Sequence, residues 1–350
     1  MRILFVISGF GYGDTIRMKA IISELRKRVS DLRIMIVGYG NSYNYFHKKY
    51  LTLKIGKFYF SDRGNVFGLS FVVRNLFYPI RMFFDWRKHS KSIIKFSPDI
   101  IISDVQPFSV YVAERINKPL IRVFAYDQEL YSVFPKKNSL FNIQAKVLSL
   151  LGKRTTHLFV PSFFKSKTKG NTHYLPAIIK TTSASLDDET SLMKKLNLKR
   201  KPVIVSLGGS NFGFGLAEII RKNISKFDDD FIFFGTEKTI AAYHYNFRDN
   251  YLEYLKVAKA VISLGGSMSF AEAIAFKKPV LAFPLKGHLE QNLNAYALRG
   301  VICQGDVSNP VKAVSMFLKK LPVYQKKING LHANYNGAQV FVDFLLKNYG

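Results

Sequence analysis

Cysteine is all but missing from this chain of 350 residues: Cys303 stands alone. That excludes an internal disulfide and a cysteine-based metal cluster, and it fits a reducing compartment. Acidic residues are scarce, 24 Asp+Glu against 52 Lys+Arg, for a formal net charge of +28. No apolar run approaches the ~20 residues that a membrane-spanning helix needs. The opening Met-Arg-Ile-Leu-Phe-Val-Ile-Ser-Gly is too short an apolar stretch for a signal peptide and reads as a first strand. No histidine pair falls at helical spacing, and no metal site is expected. Internal repeats and low-complexity segments are absent too.

What is present is apolar: 48% of residues are hydrophobic, ample for packed sheets. The length exceeds one compact core, so two domains are expected. The basic excess attracts polyanions of any kind. Without a nucleic-acid motif it implies no specific nucleic-acid partner, and genome composition is an alternative source of the charge.

Residues 2–8 read as a buried parallel strand and Thr15–Val29 as a helix, with Arg26, Lys27 and Arg28 favourably placed in its last turn. Further strands are expected at 32–37, 99–103, 120–125 and 157–160, with helices between. That alternation implies a doubly wound α/β domain over residues 1–180. A polar connection at 181–201 leads to strands at 202–207, 231–234, 260–264 and 279–283 in a second α/β domain, 181–350. Asn336–Lys347 reads as a terminal helix with Asn336 as its N-cap.

The most informative stretch is 263–295. A short strand runs into Gly265-Gly266-Ser267 and a helix carrying Glu272. A second strand ends at Pro284, and a loop leads through His288, Glu290, Gln291 and Asn292 into another helix. Ligands of open α/β sheets sit at such carboxyl strand ends. The glycine pair lets backbone amides approach phosphate at a helix N-terminus, and Glu272 is placed to accept hydrogen bonds from a ribose diol.

Gly265, Gly266, Ser267, Glu272, Pro279, Pro284, Gln291, Asn294 and Ala295 together resemble the donor-site pattern of GT-B nucleotide-sugar glycosyltransferases, in particular the family 28 enzymes typified by the peptidoglycan N-acetylglucosaminyltransferase. The resemblance implies two Rossmann-like doubly wound domains facing a cleft. The first would be acceptor-side, the second would bind the nucleotide sugar, and the last helix would pack back on the first. It further implies an inverting, metal-independent transfer from a UDP-sugar, with no cofactor.

Three other loops fit. Gly9, Gly11 and Gly13 form an open turn after the first strand, where the family ends Gly-His; here Asp14 takes that place. Asp14 is either a base or the cap of the first helix. Asp104, directly after a strand in Ser103-Asp104-Val105-Gln106-Pro107, is the first candidate for general base, with a helix cap as the alternative. Gly209 and Ser210, in Gly208-Gly209-Ser210, are expected to approach the diphosphate. Gln291 and Asn292 are expected at the sugar, with His288 as a further donor or a plain surface histidine.

Residues 56–96 mix aromatic and basic side chains, among them Phe77, Phe83, Phe84, Trp86, Arg74, Arg81, Arg87 and Lys88. A partly exposed helix or helix pair of this kind suits an anionic membrane surface. A buried helix with solvated charges is the alternative. The expected acceptor is a glycan or lipid-linked hydroxyl of the cell envelope, and the expected location cytoplasmic, with a peripheral seat on the inner face of the plasma membrane as an option. A UDP-sugar 2-epimerase, a non-catalytic nucleotide-sugar-binding subunit and a polyanion-binding protein are the competing readings.

Overall fold

Central strands of Ile, Val and Phe, buried on both faces, anchor two parallel sheets in the computed structural model, which describes residues 1–59, 61–62, 65–66, 69–163, 168–208, 213–235, 244–245 and 248–350. The chain divides into two compact units, residues 1–180 with 336–350, and residues 181–335.

The first unit holds β1 (Arg2–Ile7), β2 (Arg33–Gly38), β3 (Leu51–Lys54), β4 (Ser61–Asp62), β5 (Asn65–Val66), β6 (Ile100–Ser103), β7 (Leu120–Val123), β8 (His157–Ser162) and β9 (Thr172–Pro176). β4 and β5 pair only with each other, antiparallel. The other seven form one sheet in the order β3-β2-β1-β6-β7-β8-β9. Both neighbours of β1 lie parallel to it. The order reverses between β1 and β6, which makes their carboxyl ends the topological switch point.

Continuous apolar strands need cover on both faces. On one face Ile3, Phe5, Ile102 and Phe159 pack under the helices Gly13–Arg28 and Gly337–Tyr349 through Ile21, Leu25, Phe341 and Leu345. On the other, Leu4, Val6 and Ile101 pack under Tyr78–Phe96 and Phe108–Ile116 through Ile93 and Val112. Asn336 does occupy the N-cap position of the last helix, but its side chain makes no capping bond.

The second unit holds β10 (Val203–Ser206), β11 (Phe231–Phe234), β12 (His244–Tyr245), β13 (Ala260–Ser263), β14 (Val280–Ala282) and β15 (Cys303–Gln304). Their order, β12-β11-β10-β13-β14-β15, repeats the pattern of the first sheet, with the switch point between β10 and β13. The connection at 181–201 is not wholly irregular: Asp188 caps a short helix, Glu189–Lys195, by accepting the Ser191 amide at 3.0 Å. Among the described residues no helix is long and apolar enough to cross a membrane.

Candidate functional site

Each switch point gathers the loops singled out in the sequence. In the second unit β13 runs through Leu264 into Gly265, which has φ +97°. A Cβ there would be strained and would sit 3.2 Å from the Gln291 carbonyl oxygen, so glycine is required. Gly266 is the N-cap of the helix Ser267–Ala275 and offers no capping side chain. The first amides of that helix therefore lack an intrahelical partner and carry the positive end of its dipole. Glu272 lies in the second turn, 8% exposed. Its charge, after burial, raises the Tyr251 hydroxyl above the usual tyrosine range.

The loop after β14 closes against this turn. Asn294 Nδ2 donates to the Gly265 carbonyl at 2.9 Å. Gln291 Oε1 accepts the Leu285 amide at 3.0 Å, and Asn292 Nδ2 donates to the carbonyls of Leu285 at 2.8 Å and His288 at 2.9 Å. Gln291 and Asn292 thus shape the loop, and Gln291 Nε2 and Asn292 Oδ1 are the atoms not used in these bonds. His288 is the N-cap of the helix Leu289–Ala297, and burial lowers its imidazole to about 4, so it is neutral at physiological pH. Gly209 and Ser210 lie outside the described residues.

In the first unit Gly9 is buried against β2's exit: a Cβ would stand 1.5 Å from the Tyr39 carbonyl oxygen. Around Gly11 there is open space. Gly13 begins the first helix, two residues earlier than expected. Tyr12 is its N-cap, so Asp14 is not the cap but a first-turn residue. Its carboxylate, 31% exposed, pairs with Arg17 at 2.7 Å.

Asp104 lies beneath this loop, fully buried. Oδ2 accepts the Ser8 amide at 2.6 Å and Oδ1 the Gln106 amide at 2.9 Å. Burial, then the charge of Asp14, pushes its carboxyl up to about 8, against the pull of the two amides and Arg122. Arg122 is itself buried on β7, lowered to about 10 by that burial, and donates to the Gln106 carbonyl and Ser109 Oγ, both at 3.1 Å. The Tyr39 and Ser8 hydroxyls, 3.0 Å apart, and the Tyr78 hydroxyl, 2.9 Å from Gln106 Oε1, complete the network. Sequence reasoning missed Tyr39 and Arg122 as site residues, and it had Asn294 only as part of the donor-site pattern. A lone arginine inside an apolar strand was the available signal for Arg122.

Among the described residues no group of three His, Cys, Asp or Glu side chains is placed to hold a metal. The acidic run Asp228-Asp229-Asp230 precedes β11, at the end of the strand remote from these loops, and pairs with Arg200 and Lys259.

Two parallel α/β units of this strand order, each with its loops at the switch point, define the fold of the GT-B glycosyltransferases. Residues 1–322 match the family described as glycosyl transferase family 1. The chain belongs to that family and is a glycosyltransferase. It is 23% identical over 249 residues to an uncharacterised glycosyltransferase of Methanopyrus kandleri, covering 67% of this chain and 71% of the relative. It is 25% identical over 333 residues to one of Methanosarcina mazei, covering 84% and 82%. Among solved structures, the glycotransferase of kitacinnamycin aligns with a TM-score of 0.69 at 13% identity, over 100% of this chain and 99% of that one. MurG of Acinetobacter baumannii aligns at 0.62 and 13%, over 99% of each. A spinosyn rhamnosyltransferase complexed with thymidine diphosphate aligns at 0.60 and 13%, over 99% and 100%.

Proposed function

We propose that the protein is an inverting, metal-independent transferase that moves a sugar from a UDP-sugar to a hydroxyl acceptor, without a cofactor. The observation that carries this reading is the turn Gly265-Gly266-Ser267. Its left-handed glycine, pinned by Asn294, opens an uncapped helix N-terminus one turn before a buried carboxylate. That terminus suits the diphosphate, and Glu272 suits the ribose hydroxyls. Gly209 and Ser210 would add amides to the diphosphate, and Gln291 Nε2 with Asn292 Oδ1 would meet the sugar.

On this reading the acceptor oxygen bonds to the anomeric carbon as the bond from that carbon to the UDP β-phosphate oxygen breaks. The hydroxyl proton passes to a carboxylate. Asp14 is the better placed of the two candidates, because it is part-exposed whereas both oxygens of Asp104 are held by backbone amides below the surface. Charge developing on UDP is met by fixed amides and the helix dipole. A donor panel scored for UDP release, with and without EDTA, tests the whole. Release confined to UDP-sugars and indifferent to EDTA is expected. Preference for another nucleotide, or loss of activity with EDTA, overturns the donor or the metal statement.

A lipid-linked acceptor and a cytoplasmic, membrane-peripheral setting are part of the proposal. Their support is the helix pair Leu69–Asn75 and Tyr78–Phe96 with the turn between them, which expose Val73, Leu76, Phe77, Ile80 and Phe84 among arginines. Such a surface suits insertion into anionic lipid.

A further inference from the structure

The first sheet is covered unevenly. On one face β8 and β9 bury Phe159 and Leu175 beneath the terminal helix. On the opposite face Leu158, Thr172 and Tyr174 stay half-exposed along a groove of about 1210 Å³, beside the helix Ser139–Gly152.

The walls of this groove are tied together. Asp127 Oδ1 caps the short helix Gln128–Ser132 by accepting the Leu130 amide at 2.9 Å, and the same oxygen receives the Tyr174 hydroxyl of β9 at 3.2 Å. Tyr131 of that short helix donates to Asn142 of the longer helix at 2.5 Å. The floor is apolar, formed by Phe124, Leu148, Leu158 and Val160. Tyr126, 5% exposed, lines it with a hydroxyl that lies beside Ser149 but has no hydrogen-bond partner in good geometry.

The two ends differ in charge. Lys153 and Arg154 lead into β8 and Lys169 precedes β9, so they mark the amino end of the strands. Of the three, only Arg154 has an ion-pair partner among the described residues, Glu114. Gln128 and Glu129 mark the carboxyl end. There β7 adjoins β6, whose end carries Asp104, at a strand spacing of about 4.8 Å.

We propose that this groove binds an anionic amphiphile: an acidic group at Lys153, Arg154 and Lys169, an apolar body along the floor, and a hydroxylated end at Gln128 and Glu129. That end lies on the edge of the sheet that holds Asp14 and Asp104. The inference rests on the acceptor-side reading of this unit and gives the acceptor its chemical class.

The test is calorimetric titration of the full chain with ω-hydroxydodecanoate below its micelle concentration, beside its uncharged methyl ester. One-to-one binding of the acid is expected, with the ester weaker by about tenfold or more, a difference of ~1.4 kcal/mol. Lys153→Glu with Lys169→Glu, both at the surface, should weaken the acid by a similar factor. Leu158→Trp should block both ligands. Lys194→Glu with Lys195→Glu should change nothing. Far-ultraviolet circular dichroism and the urea unfolding midpoint of each variant report that the fold survives. No binding of the acid, equal binding of the ester, or an equal effect of the Lys194 and Lys195 reversals overturns the proposal. The titration needs no donor, so a failure of UDP-sugar hydrolysis would count against the transferase reading alone.

Discussion

The Ser8 amide and the Asp104 carboxylate meet at 2.6 Å and tie the end of β1 to the end of β6. The glycine loop that begins at Gly9 therefore rests on a carboxylate in the sheet, and the second oxygen of that carboxylate holds Gln106. This makes Asp104 a positioning residue.

Asp104→Asn presents an NH2 to one of the two amides and leaves a buried N–H unmet, a cost of ~1–3 kcal/mol. The pH dependence has a definite sign. A carboxyl raised to about 8 in the folded chain keeps a proton that the unfolded chain, near 3.9, releases. Stability is then full below about pH 4, falls as pH rises toward 8, and levels above it. Urea unfolding of the native chain should show that fall between about pH 6 and pH 8, and the Asn variant should show a flatter line. A native line without slope contradicts the raised carboxyl.

Asp14→Asn should lower turnover by ~10²–10⁴-fold while UDP affinity holds, since a base acts on the acceptor. If a folded Asp104→Asn variant instead shows the larger loss in kcat, the two carboxylates exchange roles.

Glu272→Ala should weaken UDP binding by ~1–3 kcal/mol, the scale for losing a charged hydrogen-bond partner. Calorimetry that finds the affinity unchanged removes Glu272 from the donor site.

Asn294→Ala removes the bond that fixes the Gly265 carbonyl. A lowered unfolding midpoint and a loss of UDP affinity are both expected, because the carbonyl is buried and the proposed donor site is built on the turn it belongs to. Lost stability with unchanged UDP affinity would make this bond purely structural.

Phe77→Ser with Phe84→Ser should reduce association with anionic vesicles, because these rings are 65% and 62% exposed. Reversal of Arg74, Arg81, Arg87 and Lys88 should do the same in a salt-sensitive way, at about 1 kcal/mol per charge. Reversal of Lys194, Lys195, Lys199 and Lys201 is the comparison. Equal effects would leave only the global charge as the cause.

The strands that sequence reading found are those with unbroken apolar runs, such as Arg2–Ile7 and Phe231–Phe234. It passed over β9, Thr172–Pro176, because Thr-His-Tyr-Leu-Pro carries neither an unbroken apolar run nor a clean alternation. It passed over β15 because two residues carry no period. The strand–turn–helix layout of 263–295 was legible because its spacings are local. The network beneath the first loop was not: Ser8 and Asp104 are 96 positions apart and Arg122 a further strand away. Only the strand order brings them together. Asp14 shows the same limit on a smaller scale, since the helix begins at Gly13 without any capping side chain to announce it.

The terminal helix Gly337–Tyr349 belongs to the first unit, and Phe341 and Leu345 complete that unit's core. A ribosome delivers this helix only after the whole of 181–335, an interval on the order of 10 s at ordinary elongation rates. Through that interval Phe159 and Leu175 lack their cover. The second unit can mature first, although its sequence comes later, and the first unit's core closes only when residues 337–349 arrive.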